Sequence, residues 1–196
     1  MRQTTVTGAT GPGKKLTYAD YLKIDDERRY ELIEGELVLT PSPGFFHQYV
    51  AANTEAILRA YVEKNGLGVV IIAPFDVVLA EDVVLQPDVL FLSRKRFHLL
   101  TEECLQGAPD LVVEVLSPSS GRRDRLKKSR LYFRHGVKEF WLVDPAAQTV
   151  EVFNAGEKGW LLSGAYGPED NLASLLLPGL EASGAEIFRQ PEGLSF

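Results

Sequence analysis

Apolar positions along this chain follow two periods, and the switches between them lay out the elements. Three stretches are nearly continuous runs of aliphatic residues: "GVVIIAPFDVVLA" at 68–80, "DVLFLS" at 88–93 and "LVVEVLS" at 111–117. Bounded by turn residues, each predicts a strand. Between His47 and Lys64 the apolar residues Val50, Ala51, Ile57, Leu58, Tyr61 and Val62 recur at helical spacing, and Asn65-Gly66 ends the segment. A second helix is predicted over Arg122 to His135, with Leu126, Leu131, Tyr132 and Phe133 for its buried side and Gly136 to terminate it. Residues 17–29, "TYADYLKIDDERR", open on a threonine suited to cap a helix.

Hairpins are predicted at both ends of this core. "YELIEGELVLTPSP" at 30–43 folds back around Glu34-Gly35, and "TVEVFNAGEKGWLLSGAY" at 149–166 turns between Asn154 and Gly159. "EFWLVDP" at 139–145 adds a strand with Trp141 in the core, and "LLLPGLEAS" at 175–183 packs the tail down. Strands flanked by helices in this order predict an α/β fold, a mixed central sheet with helices against it and additional N- and C-terminal hairpins.

Composition narrows the function. Of 196 residues, 45% are hydrophobic and 24% charged, an ordinary globular balance. Residues 1–16 lack an apolar signal core and read as a flexible lead-in; residues 17–196 are expected to form one domain. The longest apolar run is broken by Pro74 and Asp76, so no membrane span is expected. One cysteine, Cys104, in a loop-like stretch, rules out an internal disulfide and points to a reducing cytoplasm. Three scattered histidines make no zinc constellation, no glycine-rich nucleotide motif is present, and "SPSSG" lacks the nucleophile-elbow pattern. The net charge of −6 does not favour nucleic acid, yet "GRRDRLKKSR" at 121–130 gathers six basic residues and "SRKR" at 93–96 three more.

The chemistry centres on one interruption. Glu114 breaks an apolar strand, and a carboxylate there needs a charged or hydrogen-bonding partner. "PD" precedes this strand as Asp110 and the 88–93 strand as Asp88. Were those strands neighbours, about 4.8 Å apart, Asp88 and Glu114 could clamp one cation, whereas Asp110 lies roughly 13 Å from Glu114 along its own strand. Asp110 is read as capping or turning the chain. Strand alternation puts Val112, Glu114 and Leu116 on one face. A cation is expected from the next helix, which offers Lys127 and Lys128; Lys128 shares a face with both Asp124 and Tyr132.

The pattern of "PD", then a glutamate strand, with a lysine on the following helix, resembles the PD-(D/E)XK nuclease-like superfamily. More narrowly, "YELIEGELV", "PSP…H", "QPDVLFLS", "PDLVVEVLSPSS", "RDRLKKSRLYFRHGVKEFWLVDP" and "TVEVF", in that order, resemble the Uma-two-type restriction endonuclease family. The resemblance covers roughly residues 17–185 and implies a restriction-endonuclease-like fold. It also implies a Mg²⁺- or Mn²⁺-dependent endonuclease acting on DNA, with Asp88 and Glu114 as metal ligands and Lys128 as the catalytic lysine. Glu31, Glu36, His47, Lys127 and Tyr132 are supporting candidates, and a homodimer is implied by analogy. Leu116 departs from the superfamily pattern, which has a lysine there. The bland readings stand beside these: a hairpin's polar face for Glu31, Glu34 and Glu36, a structural histidine, and a solvated basic helix. As a whole, the rival is a catalytically silent nucleic-acid or protein interaction module.

Overall fold

Where the apolar runs are punctuated decides how they distribute between two sheets. The computed structural model describes residues 15–117 and 122–194, residues 122–125 by their backbone alone. In chain order the elements are α1 (Tyr18–Tyr21), β1 (Tyr30–Ile33), β2 (Glu36–Leu39), α2 (Phe45–Lys64), β3 (Gly68–Ile72), β4 (Asp76–Ala80), β5 (Val83–Leu85) and β6 (Val89–Ser93). After a 3₁₀ turn at Arg94–Leu99 come β7 (Cys104–Gln106), β8 (Leu111–Val115), α3 (Arg122–Arg134), β9 (Glu139–Asp144), β10 (Thr149–Ala155) and β11 (Trp160–Tyr166). The chain then forms β12 (Asn171–Leu172), β13 (Ala182–Ser183) and α4 (Gly184–Ile187).

The main sheet runs β11-β10-β9-β8-β6-β3, a second one β2-β1-β5-β4-β7, and β12 pairs with β13. Within the main sheet only β8 and β9 are parallel, and α3 makes the crossover that a parallel pair requires. One face packs on α2: Leu58 and Val62 meet Val70, Val113 and Trp141, all essentially buried. On the opposite face Val112 and Phe140 pack with Leu131 and Tyr132 of α3 and with Ile33, Val83 and Leu85. The alternation expected for residues 111–115 is therefore observed, with the two faces of β8 feeding different halves of the core. Leu177 and Leu180 of the tail join the α2 side, as anticipated.

Four expectations change, and both predicted hairpins form. The helix over 17–29 is one turn, Tyr18–Tyr21, held by a Thr17/Asp20 capping box; beyond it Asp26 accepts from the Arg28 amide and stabilises a turn instead. The run 68–80 is two strands, because Pro74 has no amide hydrogen for a ladder, and β4 leaves for the second sheet. The N-terminal hairpin belongs to that second sheet, while the C-terminal one extends the main sheet. Leu126 is exposed, since six residues of helix turn it about 120° away from buried Tyr132. Cys104 lies buried in β7, where its Sγ accepts from the hydroxyls of Tyr18 and Thr101. Residues 1–14 of the expected lead-in and most of "SPSSG" lie outside the described residues. Among the described residues no helix is long and apolar enough to cross a membrane.

Candidate active site

Register brings the two carboxylates together. β6 pairs antiparallel with β8 through Val89↔Val113, and one further step of that register sets Asp88 opposite Glu114. Directly opposed residues of an antiparallel pair share a face. Asp88 Oδ2 accepts a 2.7 Å hydrogen bond from the Val115 amide, and its backbone carbonyl accepts from Ala73 N at 2.9 Å. His47, in the first turn of α2, places Nε2 3.3 Å from the same Oδ2. Strand, sheet edge and helix start thus fix one aspartate.

Glu114 is met by α3. Lys128 Nζ lies 2.9 Å from its Oε1 and 3.1 Å from its Oε2, and the Tyr132 hydroxyl donates to Oε1 at 2.5 Å. These donors are one helical turn apart, so a single face of α3 delivers both. The ammonium also contacts Glu31 Oε1 at 3.0 Å, and that oxygen accepts from the Gln86 amide at 2.8 Å. Lys128 therefore bridges two carboxylates from different sheets. The side chains of Asp88, Glu114 and Lys128 are each less than a fifth exposed.

Electrostatics follow from this crowding. Burial pushes Glu114 up to about 7, with Asp88 and Glu31 adding repulsion and Lys128 opposing it. Burial works against the charge on Lys128, but Glu114 and Glu31 outweigh it and raise its pKa. Burial and the neighbouring Glu114 carboxylate hold the Tyr132 phenol well above its usual range, so it stays a donor. For His47, burial lowers the pKa, yet the hydrogen bond and charge of Asp88 raise it overall.

The cleft over this cluster, about 130 Å³, is lined by residues of both sheets and α2, including Arg29, Thr40, His47, Gln86 and Ser117. That volume is ample for a hydrated cation. Among the described residues no three His, Cys, Asp or Glu side chains gather as a metal cage. Two opposed carboxylates nevertheless suit Mg²⁺, which commonly takes one or two and fills its shell with water and substrate oxygens.

Of the supporting candidates, Glu31, His47 and Tyr132 lie in this cluster. Glu36 is exposed, and Lys127 points to the hairpin turn, 3.5 Å from Glu34 and 3.9 Å from Glu36, outside it. Asp110 is fully buried, accepting from the Ser93 amide, Arg96 and Lys138, a structural role that fits its separation from Glu114. Arg29, Thr40 and Gln86 were not singled out from the sequence. Gln86 stands next to "PD", but a contact between separated strands leaves no spacing signal.

The sequence model of the Uma2 family, described as "Putative restriction endonuclease", matches residues 18–185. A crystal structure described as "a putative nuclease belonging to DUF820 from Anabaena variabilis ATCC 29413" is similar, at a TM-score of 0.74 and 21% identity over 88% of this chain and 97% of that one. At that identity the likeness speaks for the fold, a mixed α/β arrangement shared across nearly the whole length. Comparison with curated proteins finds no match.

Proposed function

Because the chain belongs to the Uma2 family, we propose that it is a divalent-cation-dependent endonuclease hydrolysing the phosphodiester bonds of DNA. The observation that carries this reading is the opposed Asp88–Glu114 pair with Lys128 of α3 bonded to Glu114. Asp88 and Glu114 would hold Mg²⁺ or Mn²⁺, which supplies Lewis-acid polarisation of a phosphoryl oxygen and lowers the pKa of water.

The chain's own residues supply the rest. Lys128 favours the ionised form of Glu114 against the effect of burial and presents an ammonium beside the reacting centre, where it offsets charge that develops on the phosphorus oxygens. It does so although Leu116 occupies the position of the usual lysine: α3 reaches the same carboxylate from the next element. Tyr132 fixes the Glu114 rotamer through its hydroxyl, and the Val115 amide with His47 fixes Asp88. Apolar walls from Ile33, Val38, Phe140 and Leu142 lower the local dielectric and strengthen each of these interactions. Residues 17–196 are proposed to act as a single domain, working in pairs where both strands are cut.

Calorimetric titration with Mn²⁺ tests the metal half of this proposal. One site per chain is expected, its affinity falling at least tenfold in both Asp88→Asn and Glu114→Gln. Absence of binding by correctly folded wild type, or binding indifferent to both substitutions, would favour a silent interaction module instead.

A further inference from the structure

The cleft contains a second set of polar groups that the carboxylate cluster does not use. Backbone pairing of Thr40 with Arg29, N to O at 2.8 Å, extends the β1–β2 hairpin one step past Tyr30↔Leu39 and places these two residues opposite each other at its open end. Both line the cleft, on the hairpin face that also carries Glu31. Arg29 Nε and Nη2 donate to Gln86 Oε1 at 3.3 and 3.0 Å, and Gln86 Nε2 in turn donates to Asp76 Oδ1 at 2.7 Å. The guanidinium is thus oriented by a neutral amide and has no carboxylate partner among the described residues. Two of its five N–H groups face Gln86, which leaves three donors at the far edge of the fork. The Thr40 hydroxyl is buried with no hydrogen-bond partner among the described residues. An uncompensated guanidinium and an orphaned hydroxyl, side by side in one cleft, make up the donor set that recognises a phosphate oxyanion. Lys128, by contrast, is already shared between two carboxylates.

We infer that Arg29 and Thr40 form a phosphate-binding subsite for the DNA backbone beside the Asp88–Glu114 pair, with Gln86 as the positioning residue for Arg29. This rests on the nuclease reading for its ligand, a phosphodiester. Two strands of the smaller sheet would then hold the backbone while the main sheet carries the carboxylates.

The test is fluorescence anisotropy of a labelled DNA duplex titrated with the full chain at several salt concentrations, without added metal. Arg29→Gln is expected to weaken binding about tenfold and to lower the salt slope by roughly one. Arg29→Lys keeps the slope but binds more weakly than wild type, and it serves if the glutamine variant fails to fold. Thr40→Val removes a buried hydroxyl without a partner, so it is expected to raise the melting temperature while weakening DNA binding several-fold at unchanged slope. A merely structural threonine would move the first reading and not the second. Unchanged affinity in Arg29→Gln and Thr40→Val, or no DNA binding by wild type, overturns the subsite. Arg29-dependent binding by a wild type that never cleaves would retain the subsite and reject the nuclease. Cleavage with no Arg29 or Thr40 dependence of binding would do the reverse.

Discussion

Glu114 shows how a residue's cost becomes its use. Its folded pKa of about 7 stands above its ordinary 4.5 because burial outweighs the help of Lys128. A raised carboxylate pKa contributes stability that is fully present below 4.5 and is lost as pH rises through 7. The metal-free wild type, compared with Glu114→Gln, should therefore lose melting temperature between those values, and the comparison removes the opposite trend of carboxylates such as Asp110. A wild type and variant with parallel pH profiles would contradict the assignment. Lys128→Met leaves Glu31 and Glu114 buried without their cation, and should cost about 3–5 kcal/mol in denaturant unfolding near neutral pH. Tyr132→Phe removes a donor that favours the ionised carboxylate, so Mn²⁺ affinity at pH 7 should fall. That Asp88, Glu114 and Lys128 come together was partly legible in the chain, because a charge in an apolar run and an i, i+4 pair are local signals, whereas the preference for Lys128 over Lys127 came from the family resemblance. Arg29, Thr40 and Gln86 were not legible, since their meaning lies in one cross-strand pairing and one contact between separated segments.

At the scale of elements, the site depends on β6 and β8 staying in register while α3 leans over them. Gly68 of β3 shows how tight the edge is: a Cβ there would sit 2.0 Å from the Leu92 carbonyl oxygen and 2.9 Å from Ser93 Cα. Backbone atoms cannot step aside cheaply, so Gly68→Ala should destabilise the fold by at least the ~1–3 kcal/mol typical of overpacking, read by denaturant unfolding. The helix α2, the hairpin around Glu34-Gly35 and the strands β6, β8 and β9 were readable from period and turn residues; Gly35, at φ +82°, is the position that turn requires. Harder to read were β5 and β7, three residues each, too short for a period to emerge. The 68–80 run misled because apolar character is the same in both sheets; only Pro74 marks the change of partner.

For the molecule as a whole, the division into two sheets explains why an acidic chain can still be a candidate for a polyanionic ligand. Net charge is −6, but the cleft pairs most of its acid with Lys128 and keeps Arg29 unneutralised at its wall. Local arrangement rather than the sum governs binding. The class of fold was legible from element order, while the existence of a second sheet was not, because pairing between distant strands is decided by packing. The proposed role of Asp88 and Glu114 is to make this fold a metal-dependent nuclease. Its most direct test is nicking of supercoiled DNA with Mg²⁺ or Mn²⁺ by wild type, Glu114→Gln and Lys128→Ala purified in parallel. Metal-dependent nicking that falls at least a hundredfold in both variants is the expected result; nicking that survives both, or a folded wild type inert with either metal, would contradict it.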